Sequence, residues 1–594
     1  MIGRMTSIEI YRPGIAEVKG GKEWSALEAD LLAECRLGRM AVLPSKEELP
    51  PDCSDPDRRV RAGLIRYLML GGCEDGPRPH PTGVWIRGGW IDGVLDLESC
   101  KTPLDLGLEN CRLPERANLH AARIGALYLP GCAAPQGLDL QRLTTRGDVH
   151  LREGFKAGAG MDLAAARIGG QFSCAGGAFE ASEGEALNCN GAQIGASVFL
   201  CDKFRAMAEV NFGRAEIGGQ LNCTGGAFEA AEGRALNCDA ARIGADVILR
   251  ADPEHPDKPF LAVGRVNFTR ADVVGVLLVN GAEIKAGITF HSARIGHGLF
   301  WKKVTGAREL IDLTEARVRS LHDDRASWEG VGRLILDGFR YDRIDGSMSV
   351  AERIAWLGRA AHRPRVCAPG APDHLKGPDF DPQPHVQLAT VLRAQGNRDG
   401  AARVLVDRET RQRRASRLRA HARLDGTWRT AWQSLQANLK APVDFLFWLL
   451  AGYGHRPARA LGVSLVLVLL ASGLAHFTYA AGQFAPNSDV VLTSADWLGA
   501  VAAHAAGDAR MPVQIWQETS PTAQDYETFQ PLLYGLDLFI PLDALGQEEA
   551  WRPSTERGVL GEVAFYSRWF FQGAGWIITA LAAAVLTGLV GRRD

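Results

Sequence analysis

Between residues 84 and 305 an apolar side chain recurs at about every fifth position, often with a small or apolar residue two places before it. Ala192 precedes Ile194, Ser197 precedes Phe199, Val210 precedes Phe212 and Ala215 precedes Ile217. An Ala-x-Ile or Ala-x-Val signature returns at Ile124, Ile168, Ile194, Ile217, Ile243, Val273, Ile284 and Ile295. A period of five matches neither the 3.6 of a helix nor the strict two of a half-exposed strand. It suits a square coil of roughly 20–25 residues with four faces and one inward side chain at the centre of each. Gly169, Gly170, Gly176, Gly177, Gly225 and Gly226 argue against helix and permit tight corners.

A longer period lies over this one. Residues 166–200 and 215–249 are offset by 49 and identical at 24 of 35 positions. Duplication at fixed spacing marks stacked units, each burying its apolar face against its neighbours. On these residues the chain resembles the pentapeptide-repeat family over about 84–305. The resemblance implies a right-handed four-sided β-helix that acts through protein contacts. Some soluble members mimic DNA and bind topoisomerase. This chain departs from that group: 84–305 holds 25 acidic and 23 basic residues, so no acidic rod is expected. The stretch 251–260, with Pro253, Pro256 and Pro259, is expected to loop out of the stack. Residues 57–70 place Val60, Leu64, Ile65 and Leu68 at helical spacing and would cap the open N-terminal end.

The pattern changes in the last third. Residues 460–482 and 569–591 contain no Asp, Glu, Lys or Arg, and each is long enough to cross a bilayer as a helix. Lys440, Arg456 and Arg459 precede the first, and Arg592 and Arg593 follow the second. The positive flanks predict cytoplasmic termini and an extracytoplasmic loop at 483–568, which carries twelve acidic residues against four arginines. Residues 442–454 are apolar but too short to span, so they should lie in the interface or beside the first span. Residues 529–545 read as either a re-entrant segment or the core of a small domain, and they lack a potassium-filter motif.

Four regions follow: an N-terminal region with a helical cap (1–83), the β-helix (84–305), a mixed helical coupling region (306–440) and a membrane domain (441–594). Within the third, 365–384 reads as a Pro/Gly-rich linker. Leu388, Ala389, Leu392, Gly396, Ala401 and Leu405 resemble a single tetratricopeptide-type helix pair. The helix that follows carries Arg411, Arg413, Arg414, Arg417, Arg419 and Arg423. Beside a bilayer these imply contact with anionic head groups, whereas nucleic acid is not an expected partner.

Composition adds little chemistry. Net charge is −2, and the opening residues carry no apolar secretion signal. Of twelve cysteines, Cys174 and Cys223 are one period apart, as are Cys189 and Cys238, which reads as buried filler rather than a metal site. No nucleophile elbow, phosphate loop, dinucleotide fingerprint or HExxH motif occurs, and His150, His291, His297 and His322 stand singly. His476 inside the first span and Asp537 in the apolar 529–545 stretch are the ionisable residues in unusual settings. The expected protein is non-enzymatic, with no cofactor or metal, and multi-pass in a bacterial inner membrane. Its cytoplasmic β-helix surface would meet a protein partner. The alternative is a sensor-gated pore or membrane-disrupting effector, as in anti-phage defence. Gly573, Gly575, Ala580 and Ala583 leave homo-oligomerisation open.

Overall fold

The computed structural model describes residues 14–72, 78–181, 183–306, 309–360, 380–422, 428–456, 458–540 and 545–586. These fall into two packed units. One comprises the described residues up to 360 together with 380–401, and the other the described residues from 402 onward.

The first unit is a parallel β-solenoid of about eleven coils. Its short strands stack into four in-register ladders, one per face. One ladder runs Arg123–Thr144–Arg167–Gln193–Glu216–Arg242–Asp272–Arg294–Arg317–Arg340. Each of these residues is followed by a buried one, Ile168, Ile194, Ile217 and Ile243 among them. The 49-residue duplication is therefore two coils, since Arg167 pairs with Gln193 and Gln193 with Glu216. The longer coil of each pair carries a surface turn before Glu185 or Arg234, where the register shifts against the next coil.

Stacking puts like residues on like. Phe155, Phe179, Phe204, Phe228 and Phe260 form an interior column with ring centroids 5.2–5.8 Å apart. Asn267 donates to the side-chain oxygen of Asn237 at 2.9 Å, and Asn237 to that of Asn211 at 3.1 Å. The oxygens of Asn211, Asn237 and Asn267 each also accept the backbone N–H two residues on, so a buried amide ladder turns the corner of three successive coils. The next corner residue is left-handed even without glycine: φ is 56° at Arg214, 55° at Ala240 and 56° at Arg270.

Gly169, expected at a corner, has no positive φ; a Cβ there would lie 2.3 Å from the Arg146 carbonyl oxygen, and the glycines after the next inward isoleucines are placed the same way. Gly195, Gly218 and Gly244 do not have positive φ; a Cβ at each would lie 2.3–2.4 Å from the carbonyl oxygen of the matching glycine one coil earlier. They are required by close backbone approach. Gly176 and Gly225, with φ of 70° and 63°, are true corner glycines. Residues 253–257 loop out as expected, closed by a hydrogen bond from Asp252 N–H to the Lys258 carbonyl.

The solenoid does not stop at 305. It continues through three long strands, β1 (Arg294–Lys302), β2 (Arg317–Asp323) and β3 (Arg340–Gly346). Here two faces merge into one unbroken strand per coil, and the five-residue signature gives way to near-alternation. That change ended the readable repeat early.

Both ends of the stack are covered. At the start, Ala41 and Val42 pair with Ile86 and Arg87, and helices α1 (Ala26–Glu34) and α2 (Ala62–Met69) pack beside them. Leu64, Ile65 and Leu68 are buried in α2 as expected, while Val60 sits one step earlier in a strand paired with Ile91. At the far end lie α3 (Val350–Gly358) and α4 (Gln383–Ala394). Side chains of Gln383, Gln387 and Gln395 on and just after α4 donate to the carbonyls of Phe339, Tyr341 and Ile344. They satisfy acceptors that the last coil would otherwise leave open.

The second unit is helical. After the turn at Gly396, α5 (Arg398–Ala422) begins, followed by α6 (Trp428–Ala451), α7 (Ala458–Ala480), α8 (Pro531–Phe539) and α9 (Val559–Leu586). One described helix, α7, is long and apolar enough to cross a membrane. The second expected span begins within α9, and its final residues 587–591 lie outside the described residues, as do most of the 365–384 linker and Arg423.

Of residues 442–454, 442–451 form the end of α6 and 452–454 a short turn beyond it, and the segment packs beside α7 through Leu450 and Val468. The apolar 529–545 stretch contributes α8, which lies against α7 with Gly535 so close to Ser472 that a Cβ would come within 2.2 Å of its hydroxyl. Tyr479, Phe484, Phe529 and Trp551 form an aromatic cluster at the other end of α7.

Candidate functional site

The ladder of outward residues that begins at Arg123 changes character along its length. In its middle, opposite charges face one another: Arg242 reaches Glu216 at 3.5 Å. At its end, three arginines stack instead. Arg294 on β1 is in register with Arg317 on β2, and Arg317 with Arg340 on β3. Arg319 projects two residues further along β2. All four are exposed, and no described acidic group lies within ion-pairing distance of any of them.

Parallel strands lie about 4.8 Å apart, so neighbouring guanidiniums at that spacing repel by up to about 0.9 kcal/mol per pair in water. The column lines a shallow groove of about 730 Å³ together with Asp272, Val274, Gly296 and Asp342. Beside it on the same merged strands, Phe300 and His322 stack at 4.3 Å with rings 5° from parallel. Asp345 lies 3.9 Å from His322 Nδ1 and is itself paired with Arg343. An array of unpaired guanidiniums with this regular spacing can hold anions. Ser320 on β2 shares a hydrogen bond with His322 Nε2 at 3.0 Å, and no described group of three metal-ligating side chains exists.

The basic helix predicted to touch lipid is partly engaged elsewhere. Arg411 pairs with Asp407 at 2.6 Å, and Arg413 pairs with Asp444 on α6 while its guanidinium lies 4.6 Å over Tyr453. Arg414 is exposed and Arg417 half-exposed, so these two remain available; Arg419 lies in the same helix. His476 is exposed on α7, edge-on to Phe477, and does not face α8. Asp537 is buried, and its carboxylate accepts from the backbone N–H of Leu545 at 3.3 Å and of Glu548 at 2.9 Å. It therefore ties α8 to the returning chain. The structure does not bring Asp537 and His476 together.

The second unit carries a different kind of surface. Leu461, Leu465, Val466, Leu469, Leu470 and Phe477 on α7 are exposed, as are Trp569, Phe570, Trp576 and Ile577 on α9. Val443, Phe445 and Leu446 extend this surface on α6. An exposed apolar surface of this extent marks a contact with a membrane or with another protein.

Sequence reasoning passed over the arginine column, although the signal was present: Arg294, Arg317 and Arg340 recur at intervals of 23, each just before an inward residue. Comparison with protein-family models, with curated proteins and with solved structures gives no match for this chain.

Proposed function

We propose that this chain is a membrane-anchored, non-enzymatic adaptor whose β-helix, of the right-handed pentapeptide-repeat type, presents a binding surface to a protein partner. The observation that carries it is the exposed apolar surface of α6, α7 and α9, which needs lipid to cover it. In this reading α7 and the 569–591 segment both cross a bacterial inner membrane, the termini and solenoid are cytoplasmic, and Arg414 and Arg417 meet anionic head groups. The test is extraction: the full chain should stay with membranes through an alkaline carbonate wash and leave them only in detergent. Release by carbonate would overturn the anchoring.

A second reading, a gated pore or membrane-disrupting effector, has one observation in its favour. Helix α8 runs back beside α7 from the level of Tyr479 to that of Val468, as a re-entrant segment would. Depolarisation of cells on expression of the full chain, absent when α8 is deleted, would support it over the adaptor.

A further inference from the structure

We infer that the flat basic face of β1, β2 and β3 is the docking site for an acidic α-helix of a partner protein, one bearing Asp or Glu on successive turns. The inference rests on the adaptor reading and deepens it. Arg294, Arg317 and Arg340 form a straight row with a step of about 4.8 Å. A helix rising about 1.5 Å per residue sets carboxylates at i, i+4 and i+7 about 6.0 and about 10.5 Å along its axis, against about 4.8 and about 9.6 Å for the arginines, so the rows stay within about 1.2 Å of each other, in reach of flexible arginine side chains. Carboxylates on one face of a strand repeat at roughly 6.6–6.8 Å and fall out of register by the third.

Two features favour protein over nucleic acid. Asp272 and Asp342 line the same groove; a phosphate backbone carries charge at every step and cannot avoid them, whereas a helix can set a basic or neutral residue there. Phe300 and His322 already cover one ring face of each other, which leaves a poor platform for base stacking. The merging of two faces into unbroken strands makes this end of the solenoid flat enough for a helix to lie along the coil axis. Elsewhere on the ladder Glu216 and Arg242 neutralise each other, so the preference is local to three coils.

The test uses the purified full chain in detergent and two fluorescent peptides of identical composition. One places Glu at i, i+4 and i+7 on a single helical face, and the other distributes the same residues around the helix. Anisotropy should show the one-faced peptide binding at least tenfold more tightly, with affinity falling as salt rises. Arg317→Glu should lower that affinity tenfold or more, and Arg317→Lys should retain most of it. Arg123→Glu, on the same ladder seven coils outside the site, should change nothing. Equal binding of the two peptides overturns the helix assignment. A single-stranded or duplex oligonucleotide that binds more tightly than the one-faced peptide and is lost with Arg317→Glu overturns the protein assignment. If neither peptide binds while the chain stays in carbonate-washed membranes, this site fails and the anchoring stands.

Discussion

Arg353 on α3 forms a two-pronged ion pair with Asp323 at the end of β2, both contacts at 2.5 Å, with the Asp323 side chain wholly buried. The indole N–H of Trp328 donates to the same carboxylate at 2.8 Å. An arginine fork, an indole and a carboxylate thus satisfy one another beneath the α3 cap, where Ser349 and Glu352 close a reciprocal capping box. A buried pair of this kind adds little over an apolar pair of equal volume, but loss of one partner strands a charge.

Arg353→Ala should therefore destabilise the solenoid by about 3–5 kcal/mol. The double variant Arg353→Met/Asp323→Leu should recover much of that loss. Thermal unfolding followed by circular dichroism checks both. A single variant that melts with wild type would mean that α3 does not seal the stack.

The solenoid interior gives a sharper pair of substitutions. Ile217→Asp buries an unpaired carboxylate and should cost several kcal/mol. Gly218→Ala adds only a methyl group, yet its Cβ would stand 2.3 Å from the Gly195 carbonyl oxygen, and it should cost about 1–3 kcal/mol through backbone displacement. Alanine at the exposed neighbour Glu216 should stay within about 0.5 kcal/mol of wild type. An unchanged melting temperature for Gly218→Ala would show that neighbouring coils are further apart than described.

These residues also mark what the sequence made legible. The inward isoleucines were readable because a buried site tolerates few residue types and returns at each face. The role of the following glycine was not, because close approach to another coil depends on the stacking partner rather than on local context. The corner at Arg214, Ala240 and Arg270 was hidden for a similar reason: left-handed φ there follows the turn closed by the side chain three residues earlier, Asn211, Asn237 or Asn267, and the corner residues themselves carry no turn signature. The arginine column was spread over three coils, and averaging charge over 84–305 cancelled it. Asp537 looked chemically suspicious in an apolar run, yet two backbone amides account for its burial.

The buried cysteines should be inert in the folded protein. Among the ten described, only Cys53 is exposed. Burial pushes the Cys35 thiol up to about 11, and burial with the adjoining Asp202 carboxylate pushes Cys201 up to about 12. At pH 8 their thiolate fraction is about one in a thousand or less. A water-soluble maleimide should therefore label Cys53 within minutes and these two only after denaturation. Cys189→Ala and Cys238→Ala should each cost about 1–2 kcal/mol in lost packing. Rapid labelling of Cys201 in the native protein would contradict its burial.

Acid should loosen the N-terminal cap first. Burial alone would raise the Glu28 carboxyl, but hydrogen bonds from the Arg61 guanidinium and backbone and from Ser25 outweigh it and hold the group below its ordinary value. A depressed carboxyl stabilises the fold above its unfolded pKa, so this contribution is present at neutral pH and is lost as pH falls below about 4. Glu28→Gln should remove that acid dependence along with part of the stability. Proteolysis near residues 20–25 that is insensitive to pH between 3 and 6 in the wild type would refute it.

Whether the helical unit is an anchor or a pore turns on α8. Its tight contact with α7 at Gly535 and Ser472, and the seating of Gly575 of α9 against the Phe539 carbonyl, use small residues to pack helices within one chain. Those positions are then unavailable for assembling subunits, which favours the anchor, since the two proposed spans would enclose no channel without an oligomer. The topology is tested by cysteine placement. Gln524, exposed in the 483–568 loop, provides the site: Gln524→Cys should react with an impermeant reagent in intact spheroplasts. Replacement of 455–594 by an unrelated two-span anchor should then preserve partner binding, and Gly535→Leu should lower the stability of the helical unit without altering membrane potential. If only the native spans support activity, and Gly535→Leu abolishes a depolarisation that the wild type produces, α8 is part of a conducting path and the adaptor reading gives way to the effector.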